Sequence, residues 1–269
     1  MAGVAMELDT SPAAKLALFH TTFNLLGIAL IWPIAGHMAR FLEKRFRAAE
    51  EDEACPRYLD SNVAAVPNLA LNALEQEIRR MGGISLRMMR DVIADGATGS
   101  KLSTDQQIVS RLNKAIADFI TRMNQSGMSQ GIARRLPQML RTARYYESVA
   151  ELAMETSAAK RETPMPIKID AGETFQEQAM RLLTRVDPEG YMEYSVDVES
   201  GLQGLEGDYQ ILKAELLEAG AHGRLSVEDM DARLRAASST RRAVQQATKA
   251  ARQLSAETVE NESGNETRR

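Results

Sequence analysis

Glu147 and Glu151 stand four residues apart in a run of good helix formers, so on a helix their carboxylates share one face. Asp118 and Asp91 flank the apolar stripes of two earlier helical segments. Carboxylate oxygens from facing helices can hold a hard divalent cation, and this is the cofactor chemistry the chain offers. The alternative partner for these acids is a neighbouring base, Arg111, Lys114 or Arg144, in a solvated ion pair. No His or Cys lies among them to make a metal site specific. His20 and Asn24 form a second polar pair at helical spacing, set in an otherwise apolar stretch. In lipid such groups face other helices, so they are the candidates for intramembrane polar contacts.

Other chemistry is scarce. The chain has no phosphate-binding G-x-x-x-x-G-K-S/T loop, no G-x-G-x-x-G and no H-E-x-x-H. Its three histidines, His20, His37 and His222, are too dispersed for one metal site. Cys55 is the only cysteine, which excludes an intrachain disulfide and a Cys-rich metal site. An independent enzyme is not expected. The formal net charge is −4 at pH 7, and no basic stripe is interleaved with aromatics, so nucleic acid is not an expected partner.

The element that would position His20 and Asn24 is a stretch of 24 residues, Leu16 to Ala39, without Asp, Glu, Lys or Arg. As a helix it is about 36 Å long, enough to cross a hydrocarbon core of roughly 30 Å. Ser11 and Pro12 read as its N-cap and first helical residue, and no clean signal-peptide cleavage site follows it. Arg40, Lys44, Arg45 and Arg47 follow the stretch, whereas Lys15 precedes it with Glu7 and Asp9 nearby. The positive-inside rule places the C-terminal side in the cytoplasm. Pro33 predicts a kink. The expectation is one transmembrane helix with its flanks over 1–49, ahead of a cytoplasmic domain.

The elements that carry the carboxylates come after a charged linker at 50–66. Leu71, Leu74, Ile78, Met81, Met88 and Val92 recur in threes and fours, with Ser85 in the missing slot, and Gly82 and Gly83 interrupt the pattern. A second helix carries Ile108, Leu112, Ala115, Phe119 and Met123, and a third Ile132, Leu136, Met139, Ala143, Tyr146, Ala150 and Ala153. Pro137 is expected to kink that third helix or to split off its first turn. Three amphipathic helices joined by short turns make an antiparallel bundle over 67–160. A break at 161–172 precedes a second, shorter helical bundle over 173–254. Within it Tyr191 to Val198 reads as helix or extended chain, Leu202 to Ala219 as helix, and Ser226 as the cap of a last helix. A polar, disordered tail is expected over 255–269. The fold class is all-α.

The stretch Ala14 to Gly36 resembles a late transmembrane segment of bacterial type II sodium/phosphate cotransporters. It matches their Ala-x-x-His-x-x-Phe-Asn signature at Ala17, His20, Phe23 and Asn24. Leu59-Asp60, Pro67, Leu69 to Leu74 and Glu77-Ile78-Arg79-Arg80-Met81-Gly82 fit the segment that follows in that family. From about Asn62 onward the chain resembles its PhoU-like domain, a pair of three-helix bundles, and Arg241-Arg242, Gln245 and Lys249-Ala250 fit the final helix. The family's transport core binds phosphate and sodium through Gln-Ser-Ser repeats, which this chain lacks. PhoU-type proteins are associated with E-x-x-x-D metal motifs; Glu147-Ser-Val-Ala-Glu151 keeps the spacing and ends in Glu.

The resemblance implies a membrane-anchored, PhoU-like regulatory part of a sodium-dependent phosphate transporter, not transport-competent alone. Its partners would be membrane lipid and the remaining transporter helices or further copies of itself. Phosphate and sodium would be handled only through the complete transporter. A single-span signalling or scaffold protein unrelated to phosphate is the alternative, and a soluble bundle with Leu16 to Ala39 as its core helix is a third reading.

Overall fold

The computed structural model describes residues 16, 18–28, 38, 53–64, 66–125, 130–163, 169–190, 192 and 194–266. The chain divides into two compact units, Met1–Asp52 and Glu53–Arg269.

In the first unit residues 18–28 are helical (α1). Its apolar side chains lie open on every side: Phe19 is 69% exposed, Phe23 66% and Leu26 69%. The rings of Phe19 and Phe23 stack with centroids 6.4 Å apart. Residues 29–37 and 39 of the uncharged stretch, Trp32 and Pro33 included, lie outside the described residues. Among the described residues no helix is long and apolar enough to cross a membrane.

In the second unit the described elements are helices: α2 (Ser61–Ala64), α3 (Pro67–Ile93), α4 (Gly99–Gln125), α5 (Gln130–Arg161), α6 (Asp170–Arg185), α7 (Val196–Ala221) and α8 (Val227–Glu266). Helices α3, α4 and α5 pack as one group and α6, α7 and α8 as another. The broadest interface joins the groups, α5 against α8. The two helices are rich in small buried residues, Ala143, Ala150 and Ala153 on α5 and Ala243, Ala247 and Ala251 on α8. Small side chains let helix axes approach closely. The buried residues form one continuous cluster from Ala54 to Leu254.

The predicted stripes are the buried faces. Leu74, Ile78, Met81 and Met88 of α3, Leu112 and Phe119 of α4, and Met139 and Tyr146 of α5 are fully covered. The glycines do not interrupt α3, which is continuous from Pro67 to Ile93. Ser85 fills its slot by donating its hydroxyl to the Met81 carbonyl at 2.9 Å. Pro137 lies inside a continuous α5. Pro137 and Ala133, whose carbonyl loses its helical donor, are both exposed, so water can satisfy that carbonyl.

Three boundaries differ from the sequence reading. The stretch at 191–198 is neither one helix nor one strand: Met192 and Tyr194 are non-helical, and α7 begins at Val196. The chain from 53 to 60, within the expected linker, is pinned to α3: Glu77 accepts hydrogen bonds from the backbone N–H groups of Arg57 and Tyr58 at 2.8 and 2.9 Å. Helix α8 runs on to Glu266, where a tail without structure is expected. Extending a formed helix costs little once it is nucleated.

Candidate functional site

Helix α3 is covered nearly all round from Glu77 to Ile93, although its sequence shows one apolar stripe. The rest of its surface is a largely covered polar face, which the apolar stripe does not announce. Arg80, 6% exposed, donates to Glu77, 0% exposed, at 2.7 Å, and to the carbonyls of Glu53 and Cys55, each at 2.7 Å. Two helical turns on, Arg87 bridges Glu53 at 3.1 Å and Asp105 of α4 at 3.0 Å. A further turn on, Arg90 meets Asp187 at 2.7 Å.

Asp187 opens the turn Asp-Pro-Glu-Gly between α6 and α7, and this turn sits on Gly82 and Gly83. A β-carbon on Gly82 would lie 2.7 Å from the Tyr146 ring and 2.9 Å from Cγ of Pro188. One on Gly83 would collide with the Glu189 side chain. Two glycines thus make the notch that lets the second group of helices close on the first. Burial raises the pKa of Asp105, with Arg87 opposing. Burial and then Asp187 raise that of Glu189. The Tyr146 hydroxyl, enclosed at the notch, is pushed up strongly by burial.

A cavity of about 250 Å³ lies among α5, α6, α7 and α8, with Phe175, Leu212 and Ala237 among its apolar lining. Its threonines and Lys160 are engaged within the protein. Thr156, Thr163 and Thr240 donate to carbonyls of their own helical turns at 2.8, 2.8 and 2.9 Å. Lys160 closes the end of α3, donating to the Val92 carbonyl at 2.8 Å and pairing with Asp95 at 2.6 Å.

The residues singled out from the sequence fall as follows. Glu147 and Glu151 do come together, but around Arg144, at 2.6 and 3.5 Å. Asp118 is exposed on α4, and Asp91 pairs with Lys101 at 2.5 Å. Among the described residues no group of three or more His, Cys, Asp or Glu is gathered as a metal site would need. His20 and Asn24 are both exposed on α1. His222 holds the Glu218 carbonyl at 2.9 Å through Nδ1, at the end of α7. The sequence also holds a G-x-S-x-G at 127–131 that the sequence reading passed over; its serine lies outside the described residues, and the described segments before and after it are helices rather than the strand a nucleophile elbow needs.

Fold and site together define an all-helical protein, among the described residues, whose polar groups tie two helical groups into one body. Over 161 residues the chain is 26% identical to the Salmonella typhimurium protein described as "Putative inorganic phosphate export protein YjbB". The matched stretch is 56% of this chain and 29% of that protein, so the chain spans well under half of its relative. This distant similarity is to a phosphate-transport protein. No family model matches the chain, and no solved structure matches it.

Proposed function

We propose that this chain is the membrane-anchored, PhoU-like regulatory portion of a sodium-dependent phosphate transporter. The similarity to the Salmonella phosphate-export protein carries the reading. The exposed apolar surface of α1 supports an anchor, because water disfavours so many uncovered large side chains on one short helix. His20 and Asn24, four residues apart, would then contact other membrane helices. The bundle forms no covalent bonds with phosphate. It acts by docking and by changing shape, and the turn at 187–190 on α3 is the contact through which its two helical groups influence each other.

Two measurements on cells test this. Carbonate extraction of membranes should leave the chain in the pellet, and release into the supernatant would remove the anchor. Phosphate flux in cells carrying this chain alone should stay at background, and co-expression with the Gln-Ser-Ser membrane repeats should alter their flux. An anchored chain that leaves that flux untouched would favour the signalling or scaffold reading.

A further inference from the structure

Across most of the bundle, arginines and acids answer one another, as at Arg87, Arg90, Arg235 and Arg241. One surface departs from this. Between Asp118 and Glu147 the sequence has no Asp or Glu, yet it carries five arginines, of which Arg122 and Arg135 are engaged within the protein. Arg111, Lys114 and Arg122 recur on one side of α4 around the single acid Asp118, and Arg134, Arg141 and Arg144 on one side of α5. The six basic residues and Asp118 are exposed. The short connection makes α4 and α5 antiparallel neighbours, which brings 111–122 alongside 134–144. Arg144 is answered by Glu147 and Glu151. Among the described residues no ion pair involves Arg111, Lys114, Arg134 or Arg141. Leu140 is exposed beside Arg141.

We propose that this face of the α4–α5 hairpin rests on anionic lipid headgroups. The proposal builds on the membrane reading above. From Arg111 to Arg122 the helix rises about 16 Å, so the positive charge is spread over a surface rather than gathered on one oxyanion. Among the described residues the hairpin has no exposed aromatic on which a base could stack, which counts against single-stranded nucleic acid. A field of shallow phosphates suits long arginine side chains with an exposed leucine among them.

The test is acetylation of Lys114 in the full chain, read by mass spectrometry, with Lys213 on exposed α7 as the internal control. On phosphatidylcholine vesicles containing phosphatidylglycerol, Lys114 should react about fivefold more slowly than on phosphatidylcholine alone, the equivalent of about 1 kcal/mol for one basic residue at an anionic surface. Lys213 should not change. The protection should vanish at about 1 M salt, where the Debye length is about 3 Å. It should weaken in Arg134→Gln/Arg141→Gln, which alters exposed positions only. Equal rates on the two vesicle types would overturn the proposal, as would equal protection by an oligonucleotide without lipid. Carbonate-resistant retention on phosphatidylcholine reads the anchor separately. A chain that washes off those vesicles but shows protected Lys114 with phosphatidylglycerol would keep the basic face and lose the anchor.

Discussion

Gly82→Ala and Gly207→Ala should move stability in opposite directions. Both glycines lie in helix interiors, α3 and α7, where alanine is favoured over glycine by about 1 kcal/mol. Around Gly207 a new β-carbon meets nothing within 4 Å, so the substitution should gain that amount. At Gly82 the β-carbon lies 2.7 Å from two Tyr146 ring carbons and 2.9 Å from Pro188 Cγ. Tyr146 is fully buried and Pro188 belongs to a buried turn residue, so neither can swing into solvent. Forcing a methyl into such a core costs typically 1–3 kcal/mol, roughly. The propensity gain is common to both substitutions, so the difference between them isolates the overpacking, about 1–3 kcal/mol. Urea midpoints followed by far-ultraviolet circular dichroism measure it, provided the slope is unchanged. If Gly82→Ala raised the midpoint as much as Gly207→Ala, the turn at 187–190 would not be seated on α3, and the account of the notch would fail.

Two further outcomes follow from the same contact. Arg90→Ala should destabilise by about 1–3 kcal/mol, because it leaves Asp187, 16% exposed at its side chain, without its 2.7 Å partner; a double-mutant cycle with Asp187→Ala should show coupling, and strict additivity would exclude the pair. Glu189→Gln should stabilise the protein near neutral pH: burial and Asp187 raise the folded-state pKa, so this group's contribution is complete below its unfolded pKa and is lost as pH rises through the folded one. The gain over wild type should shrink on acidification, and a gain that grew as pH fell would reverse the sign of the argument.

Much of the fold was legible because helical burial leaves a periodic trace. The stripes of α3, α4 and α5 are three- and four-residue repeats of large apolar groups, and burial by other helices requires that pattern. What stayed hidden is the polar face of α3. Glu77, Arg80, Arg87 and Arg90 fall at helical spacing opposite the stripe, and in isolation such residues read as a solvated surface. Their partners, Glu53, Asp105 and Asp187, come from three separate stretches of sequence, and no local pattern announces a long-range ion pair. Gly82-Gly83 was the available signal: a glycine pair in a strong helix lowers its stability by close to 1 kcal/mol per residue, a cost that points to a neighbour requiring the space. The engagement of the α5 carboxylates by a base was hidden for the converse reason. Glu147 and Glu151 share a face as their spacing demands, but Arg144, three residues before Glu147, reaches both.

The two helical groups are therefore coupled by more than apolar contact. Separating the turn at 187–190 from α3 would expose Asp187 and Arg90 to water, which costs the ion pair little, since each regains hydration. It would also uncover Tyr146 and the glycine notch, which costs apolar area. The charged groups then set the alignment of the contact and the apolar groups set most of its strength. A competitor for Asp187 or Arg90 would therefore loosen the alignment of this contact while the apolar core between α5 and α8 still holds the bundle together.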